Sequence, residues 1–267
     1  MGSIALAFCG GAARSYSCIG VLKALESMSV SVAAFAGTSM GALVAALASA
    51  GYRPAEIEAI ARKIRISDMV EFSLGNIGEG IFSMGKLRKF LGRLLPETFE
   101  NLKFPLYVST VDIDTGETVV FNSGNLLDAL LASCAVPIIF KPVRIDKRRL
   151  VDGGLSLLIP WKPLLDDNIE NIVCVSCGFI ARKRPLYKGL ANIAIRAVDI
   201  LGRNMIEEAK QNQSLLVLEP DIEKFGVMSF KLIDAFIAAG ELVARQRRDD
   251  IVAMQLRSAE KCGHAQF

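Results

Sequence analysis

The sequence predicts an α/β fold in which a mostly parallel central sheet carries helices on both faces. Short apolar runs alternate along the chain with longer segments of helical periodicity, and this alternation is typical of sheets whose strands are joined by helices. Hydrophobic residues make up 52% of the 267 residues, which is ample for a large core. No internal repeat or low-complexity linker divides the chain, so we expect residues 1–267 to form one domain.

The predicted strands are short apolar runs near residues 3–9, 32–36, 105–111, 117–121, 143–151, 171–177 and 214–218. The predicted helices carry apolar residues at helical spacing near residues 16–29, 41–50, 54–63, 84–94, 126–133, 188–211 and 229–256. In the last helix Gly240 falls on the apolar face, so we expect this amphipathic segment to dock closely on the rest of the domain.

One serine stands at a predicted strand-to-helix turn. Gly37-Thr38-Ser39-Met40-Gly41 is a G-x-S-x-G segment between the apolar run 32–36 and the alanine-rich helix pattern 42–50. A serine on such a tight bend exposes its hydroxyl, and the small residues around it keep other atoms away. The helix N-terminus behind it adds free N–H groups. This arrangement suits a nucleophile that attacks an acyl carbon.

The hydroxyl of Ser39 needs a base within hydrogen-bond reach before it can act as a nucleophile. The single histidine, His264, lies three residues before the last residue, where chains are often poorly ordered, so we expect it not to serve. The order Ser, Asp, His would nevertheless fit an α/β-hydrolase triad. Asp152 is the carboxylate candidate, because it follows a short apolar run and precedes Gly153 and Gly154. On these residues alone, an ordinary Asp-Gly turn remains the alternative.

A glycine loop follows the first predicted strand. The segment Cys9-Gly10-Gly11-Ala12-Ala13-Arg14-Ser15 lets consecutive N–H groups point one way and bind an anion. That anion is either a bound phosphate or the oxyanion of a tetrahedral intermediate. A dinucleotide site requires G-x-G-x-x-G and an acidic residue about twenty positions further on. The adjacent glycines and the early Glu26 do not fit that pattern.

Together these three motifs resemble those of the patatin-like phospholipases. In that family a G-G-G-x-R/K-G oxyanion loop opens the domain, a G-x-S-x-G elbow follows, and a D-G-G or D-G-A motif supplies an aspartate. The matching positions are Gly10, Gly11 and Arg14 in the loop, Gly37, Ser39 and Gly41 in the elbow, and Asp152, Gly153 and Gly154 in the aspartate motif. Segments 19–25 and 132–137 add further likeness. The resemblance covers residues 4–180, with a C-terminal helical region, 188–256, packed on that core.

The resemblance implies a patatin-like three-layer fold and a Ser–Asp dyad without histidine. Ser39 would attack an ester carbonyl, and Asp152 would act first as general base and then as general acid. The N–H groups of Gly11 and Ala12 would hold the oxyanion, with Gly10 shaping the turn. Arg14 would either brace the loop or attract a phosphate. This chemistry requires no metal and no organic cofactor.

Two positions depart from the family's oxyanion loop. Ala12 stands where the family has a third glycine, and Ser15 stands where a glycine follows the basic residue. A Cβ at either position is unfavourable if φ is positive. The N–H donors survive both changes, because neither residue is proline. The departures therefore bear on the geometry of the donors and on the rate.

Charge and cysteine content exclude other classes. The net charge of +3 is too small to argue for nucleic-acid binding. Basic clusters at 147–149, 182–184 and 245–248 would either attract anionic head groups or lie as solvated turns and a helix face. The six cysteines lack the spacing of a disulfide framework or a zinc site, so we expect reduced core residues.

Several apolar segments bear on membranes and on an acyl pocket. The stretch 27–52 has the length of a membrane span, but Gly37-Thr38-Ser39 interrupts it. No signal-peptide pattern is present, so we expect a cytoplasmic protein with peripheral membrane contact. Residues 73–85, which include Ile81 and Phe82, suit either a lid or an irregular surface loop. Pro137 and Phe140 suit either the wall of an acyl pocket or ordinary core packing.

The sequence therefore predicts a serine lipid acyl hydrolase that cleaves acyl esters of phospholipids or related lipids through Ser39 and Asp152. One alternative is a triad esterase that uses His264. A second is a lipid- or acyl-binding protein in which the altered loop has lost efficient chemistry. A third is acyl transfer to an acceptor other than water, because the first half-reaction is the same. The sequence does not predict an oligomeric state.

Overall fold

The computed structural model describes residues 2–64, 71–72, 82–177 and 189–264. Within these residues ten strands occur: β1 (Ile4–Phe8), β2 (Val32–Thr38), β3 (Glu71–Phe72), β4 (Phe82–Ser83), β5 (Leu106–Asp112), β6 (Thr118–Phe121), β7 (Val143–Ile145), β8 (Arg148–Asp152), β9 (Ile172–Val175) and β10 (Leu215–Leu218).

Eight of these strands form one sheet in the order β10-β9-β1-β2-β5-β8-β7, and β6 also pairs with β5. The pairings from β10 across to β5 are parallel. The pairings that involve β6, β7 and β8 are antiparallel. Strands β3 and β4 form a separate antiparallel pair. The prediction of a mostly parallel central sheet is confirmed.

Nine α-helices occur in the described part of the chain: α1 (Ser17–Ser27), α2 (Met40–Ser49), α3 (Pro54–Lys63), α4 (Gly85–Leu91), α5 (Leu126–Ser133), α6 (Lys162–Asp166), α7 (Leu190–Gln211), α8 (Ile233–Gln246) and α9 (Arg248–His264). Short 3-10 helices cover Ala12–Tyr16, Phe99–Asn101, Gly153–Leu155 and Phe230–Leu232. None of the helices described combines the length and apolar character that a membrane span requires.

Strand β1 is covered on both of its faces. Its side chains alternate between two cores, since successive residues of a strand face opposite sides of the sheet. Leu6 and Phe8 join the core formed with α1, α2 and α8, whereas Ala5 and Ala7 join a second core that contains Trp161. A strand buried on both faces reads as a continuous apolar run, which is why the first run of the sequence shows no alternation. The predicted three-layer arrangement, with helices on both faces, is confirmed.

Two predicted elements are each divided in the structure. The run 143–151 is a hairpin of β7 and β8, because Asp146 adopts a left-handed φ of 53° between them. The helix predicted at 229–256 is interrupted at Arg247, which separates α8 from α9. The interruption allows Ile251 and Met254 of α9 to reach the core as well. That residues 1–267 fold as one domain stays a prediction.

Helix α8 docks on α1 at two glycines. A Cβ added at Gly240 would lie 1.9 Å from the carbonyl oxygen of Ser17, and one added at Gly20 would lie 1.9 Å from that of Ile237. Only glycine permits this backbone approach. The close docking predicted for the last helical segment is therefore present, and it holds the C-terminal helices against the layer that carries α1.

Candidate active site

Ser39 stands at the bend between β2 and α2. Its backbone has φ 54° and ψ −131°, a conformation that is strained for any residue with a Cβ. Its side chain is partly exposed, whereas Gly37 and Thr38 before it and most of α2 after it are buried. The carbonyl oxygen of Ser39 accepts the N–H of Ala42 at 2.9 Å, which starts the helix. The bend thus presents a reachable hydroxyl at the carboxyl end of a central parallel strand.

The two glycines of the G-x-S-x-G segment make the bend sterically possible. A Cβ at Gly37 would lie 2.5 Å from the Cα of Ala42, which belongs to the helix that turns back over the strand. A Cβ at Gly41 would lie 2.5 Å from the carbonyl oxygen of Cys9 at the end of β1. Both contacts are with backbone and cannot move aside, so both positions require glycine.

The loop after β1 places two N–H groups beside the bend. A Cβ added at Gly10 would lie 3.2 Å from the Cβ of Ser39, so the loop and the bend are in contact. The N–H of Gly10 donates to the carbonyl of Leu158 at 3.1 Å. In the described part of the chain, the N–H groups of Gly11 and Ala12 donate to no backbone carbonyl. The sequence analysis predicted that these two N–H groups hold the oxyanion.

The two departures from the family loop differ in their backbone geometry. Ala12 has a φ of 48°, in the left-handed region that favours glycine, so the missing glycine leaves strain at this position. Ser15 is not in that region; it is fully buried and donates its hydroxyl to the carbonyl of Cys9 at 3.1 Å. The replacement at Ser15 therefore adds a hydrogen bond, whereas the replacement at Ala12 adds strain.

Asp152 is the last residue of β8, and the sheet brings it level with the bend. Thr38 at the end of β2 pairs with Ser109 of β5, and the next residue, Thr110, pairs with Asp152. The backbones of β2 and β8 are therefore two strand spacings, or about 10 Å, apart. The side chains of Ser39 and Asp152 extend into this gap. A Cβ at Gly153 would lie 2.4 Å from the carbonyl oxygen of Ser109, so this glycine lets the chain turn tightly against β5.

The carboxylate of Asp152 is 4% exposed and accepts the N–H of Gly154 at 2.8 Å. Burial raises its pKa to about 6, against the opposing effects of its hydrogen bonds with Ser39 and with the Gly154 N–H. No cation in the described residues contributes to this pKa. The Ser39 side chain is thus near enough to Asp152 to affect its pKa, and burial leaves the carboxylate more basic than an ordinary aspartate.

Three consecutive residues that the sequence reasoning did not assign also contact this pair. The hydroxyl of Ser133, the last residue of α5, accepts the backbone N–H of Ser39 at 2.8 Å. The side chain of Cys134 interacts with that of Ser39, and the negative charge of Asp152 raises the pKa of its thiol. The carbonyl of Ala135 accepts the N–H of Asp152 at 3.0 Å. The likeness of segment 132–137 to the family was the available signal.

The residues predicted for a pocket or lid are only partly brought together. Phe82 donates its N–H to the carbonyl of Ile139 at 2.9 Å, and its ring lies 6.5 Å from that of Phe140. Pro137 precedes this contact, three residues after Cys134, and is partly buried. Ile81 lies outside the described residues. Phe82 and Phe140 therefore lie together, and Pro137, half-buried like both of them, lies between α5 and Phe140 in the chain.

Arg14 is fully buried and donates from Nη2 to the carbonyl of Phe225 at 2.8 Å. The neighbouring N–H of Ala13 donates to the carbonyl of Val227 at 2.9 Å. The loop after β1 is thus fastened to the segment that precedes α8. These contacts favour a bracing role for Arg14 over capture of a phosphate.

The other candidate base, His264, is the last residue of α9. On α9, Met254 and Arg257 share a pocket with Asn171 and Ser214, which precede strands β9 and β10. This part of the helix therefore lies near the amino ends of the strands, whereas Ser39 follows the carboxyl end of β2. The side chain of His264 lies outside the described residues. No group of three His, Cys, Asp or Glu side chains in the described ranges is arranged to hold a metal ion.

Comparison with known proteins places the sequence among lipid-acting families. A family model described as patatin-like phospholipase matches residues 6–165. An uncharacterised NTE family protein of Mycobacterium tuberculosis is 28% identical over 281 residues, covering 94% of this chain and 48% of the relative. The omega-hydroxyceramide transacylase of Mus musculus is 31% identical over 170 residues, covering 58% of this chain and 28% of the relative. The chain thus spans about half, or less, of the length of these relatives.

One solved structure supports the fold. VipD from Legionella pneumophila superposes with a TM-score of 0.60 at 14% sequence identity, covering 93% of this chain and 67% of VipD. At this identity the likeness concerns the fold and carries no information on substrate.

Proposed function

The chain belongs to the patatin-like phospholipase family, and we propose that it is a lipid acyl hydrolase with Ser39 as nucleophile and Asp152 as general base. The proposed substrates are phospholipids or related acyl esters. Membership of the family supports the reaction class, and the residues around Ser39 support the assignment of roles.

One observation carries the proposal: a strained, reachable serine faces a buried carboxylate whose pKa is raised to about 6. Strain of this kind persists only where the surrounding structure enforces it, and it is common at active sites. At neutral pH this carboxylate is mostly ionised, yet it is a stronger base than a solvated aspartate. A structural aspartate at a turn would need neither property.

In the proposed acylation step, the Ser39 Oγ forms a bond to the ester carbonyl carbon while its proton passes to Asp152. The negative charge that develops on the carbonyl oxygen is stabilised by the N–H groups of Gly11 and Ala12, which no backbone carbonyl in the described chain occupies. Collapse of the intermediate breaks the bond to the alcohol, and Asp152 returns the proton to that leaving group. Water then attacks the acyl carbon while Asp152 accepts its proton. Collapse of this second intermediate breaks the bond between the acyl carbon and the Ser39 Oγ, which takes the proton back from Asp152 as the free acid leaves.

Acyl transfer is the second candidate, because the first step would be identical and a relative of this chain carries the name of a transacylase. The two candidates differ only in whether water or another hydroxyl accepts the acyl group from Ser39. They separate in a single assay, in which an acceptor alcohol is added and free acid and new ester are both quantified. A binding protein without turnover would give neither product.

We further propose that Phe82, Pro137 and Phe140 line the path of the acyl chain. The group is apolar, half-buried and adjoins Cys134, which contacts the side chain of Ser39. An acyl chain entering beside Ser39 would bury apolar surface against these residues, which is favourable at about 25 cal/mol per Å².

We propose peripheral contact with lipid surfaces near the same site. Ile138 is 48% exposed and has a φ of 74°, which is unfavourable for a β-branched residue. Met228 is 47% exposed and follows Val227, whose carbonyl holds the loop after β1. Two exposed apolar side chains thus lie next to segments that contact the proposed dyad and the loop of the oxyanion donors. The basic clusters support this contact less well, since Arg148 and Arg149 pair with carboxylates and 182–184 lie outside the described residues.

The test is hydrolysis of a medium-chain chromogenic ester and of a phospholipid by the wild type, Ser39→Ala and Asp152→Asn. We expect both variants to lose at least about 1,000-fold in kcat while remaining folded, because nucleophile and base act as a unit. Ser29→Ala is the matched serine control, since Ser29 also has a positive φ, 55°, but lies on the surface. Asp114→Asn is the matched carboxylate control, since Asp114 is exposed and paired with Arg149. Turnover that persists in Ser39→Ala would refute the proposal.

A further inference from the structure

Ser39 and Asp152 lie on separate strands, β2 and β8, with β5 between them. The sheet alone fixes their backbones but leaves the bend at Ser39 free to relax. The ladder between β2 and β5 ends at Thr38, so the N–H of Ser39 has no partner strand. A backbone N–H at such a place needs an acceptor, because an unpaired buried donor is costly.

The carboxyl end of α5 supplies that acceptor. The hydroxyl oxygen of Ser133 lies 2.8 Å from the N of Ser39, and Ser133 is fully buried. Two residues further on, the carbonyl of Ala135 accepts the N–H of Asp152 at 3.0 Å. One short stretch of chain therefore holds both backbones by hydrogen bonds at the two ends of the gap between them.

Cys134, between these two residues, meets the side chains themselves. It interacts with the side chain of Ser39 and with the charge of Asp152, and burial is the largest cause of a pKa raised above the ordinary thiol value. The thiol therefore stays neutral beside Asp152.

We infer that residues 133–135 form a clamp that sets the position of Ser39 relative to Asp152, with Ser133 as a positioning residue that holds the nucleophile in its strained conformation. This inference rests on the proposed function for its consequences on rate. The clamp acts on the orientation of the nucleophile and not on the pocket, so its loss lowers kcat and leaves KM nearly unchanged.

The experiment compares the wild type with Ser133→Ala, Ser133→Thr and Ser49→Ala. Ser49 is the matched control, because it is also the last residue of a helix and fully buried, yet its hydroxyl has no hydrogen-bond partner among the residues that the structure describes. We expect kcat for a medium-chain ester to fall about 10- to 100-fold in Ser133→Ala, or about 1.4 to 2.7 kcal/mol of transition-state stabilisation. KM should stay within about twofold. Ser133→Thr, which keeps the acceptor oxygen, should recover most of the rate, and Ser49→Ala should behave as the wild type.

A second readout does not depend on turnover. Hydrogen exchange at the amide of Ser39, resolved to the single residue by mass spectrometry with fragmentation, should be faster in Ser133→Ala than in the wild type and unchanged in Ser49→Ala. If Ser133→Thr does not fold, this exchange measurement decides between the clamp and a purely structural serine.

The possible results separate the two claims. Wild-type kcat in Ser133→Ala, or an equal fall in Ser133→Ala and Ser49→Ala, overturns the clamp and leaves the proposed function standing. Equal ester turnover in the wild type and Ser39→Ala overturns the proposed function. If the proposed function fails in this way, the hydrogen exchange still tests the clamp. An unchanged rate at the Ser39 amide in Ser133→Ala overturns the clamp, and a faster rate shows that the Ser133 hydrogen bond holds the bend.

Discussion

The buried carboxylate of Asp152 makes the stability of this protein depend on pH in a calculable way. Burial raises the pKa of Asp152 from 3.8 to about 6 in the folded protein. The folded state thus binds this proton more tightly than the unfolded chain does. The contribution of Asp152 to stability is therefore fully present below pH about 4 and is lost as the pH rises through about 6.

The size of the effect follows from the shift. A difference of about two pKa units, at 1.36 kcal/mol per unit, corresponds to about 3 kcal/mol of unfolding free energy. Asp152→Asn removes the titration while keeping the size of the side chain. The free energy of unfolding of Asp152→Asn minus that of the wild type should therefore increase by about 3 kcal/mol between pH about 4 and pH about 8.

Urea unfolding of both proteins at a series of pH values measures this difference, and any pH-independent effect of the amide cancels in the comparison. Asp114→Asn is the control. The Arg149 guanidinium lowers the pKa of the exposed Asp114 below its ordinary value of 3.8, so this carboxyl is ionised in both the folded and the unfolded protein over most of the range. The difference between Asp114→Asn and the wild type should therefore stay nearly constant from pH about 5 to about 8 and change only at lower pH. A wild-type minus variant difference for Asp152 that is constant across this range would refute the raised pKa and, with it, the argument that Asp152 is an activated base.

Three further predictions concern the loop, the helix docking and the alternative base. Ala12→Gly should stabilise the fold by about 0.5 to 1 kcal/mol and should not reduce ester turnover, because the φ of 48° is relieved; thermal melting and kcat check this, and a less stable variant would contradict it. Gly240→Ala should lower the free energy of unfolding in urea by more than about 2 kcal/mol, because its Cβ would lie 1.9 Å from the Ser17 carbonyl oxygen. As the control, Gly92→Ala should change it by less than about 1 kcal/mol, because its Cβ would lie 3.3 Å from the nearest atom. His264→Ala should keep the wild-type rate, since Asp152 serves as the base; a loss of 100-fold or more, about 2.7 kcal/mol, would favour the triad.

Much of the fold could be predicted from local patterns. The strand β1 and the helix α5 follow directly from an apolar run and from helical spacing, and their bounds in the structure lie close to those predicted. The division of 143–151 into a hairpin could not be predicted, because it depends on a left-handed φ at Asp146 that many sequences tolerate in a turn. Likewise, the interruption at Arg247 could not be predicted, because it depends on how α8 and α9 each pack on the core, and this packing involves residues distant in sequence.

The candidate site divides in the same way. Ser39 and Asp152 could be found from sequence because glycines at fixed offsets mark places where backbones approach closely, as at Gly37 and Gly153. Ser133 could not be assigned a role from its neighbours in sequence, because its contact with Ser39 joins residues 94 positions apart and leaves no local pattern. The contrast between Ala12 and Ser15 also required the structure, since only backbone angles distinguish a strained replacement from a hydrogen-bonded one.

The most direct test of the central claim is to trap the acyl-type adduct on the protein. The protein is incubated with a fluorophosphonate that carries a medium-length alkyl chain, and the modified residue is located by peptide mass spectrometry. We predict a single adduct on Ser39, lost in Ser39→Ala, formed much more slowly in Asp152→Asn, and accompanied by complete loss of phospholipid hydrolysis. An adduct on another residue, or hydrolysis that continues in fully labelled protein, would contradict the assignment of Ser39 as the nucleophile.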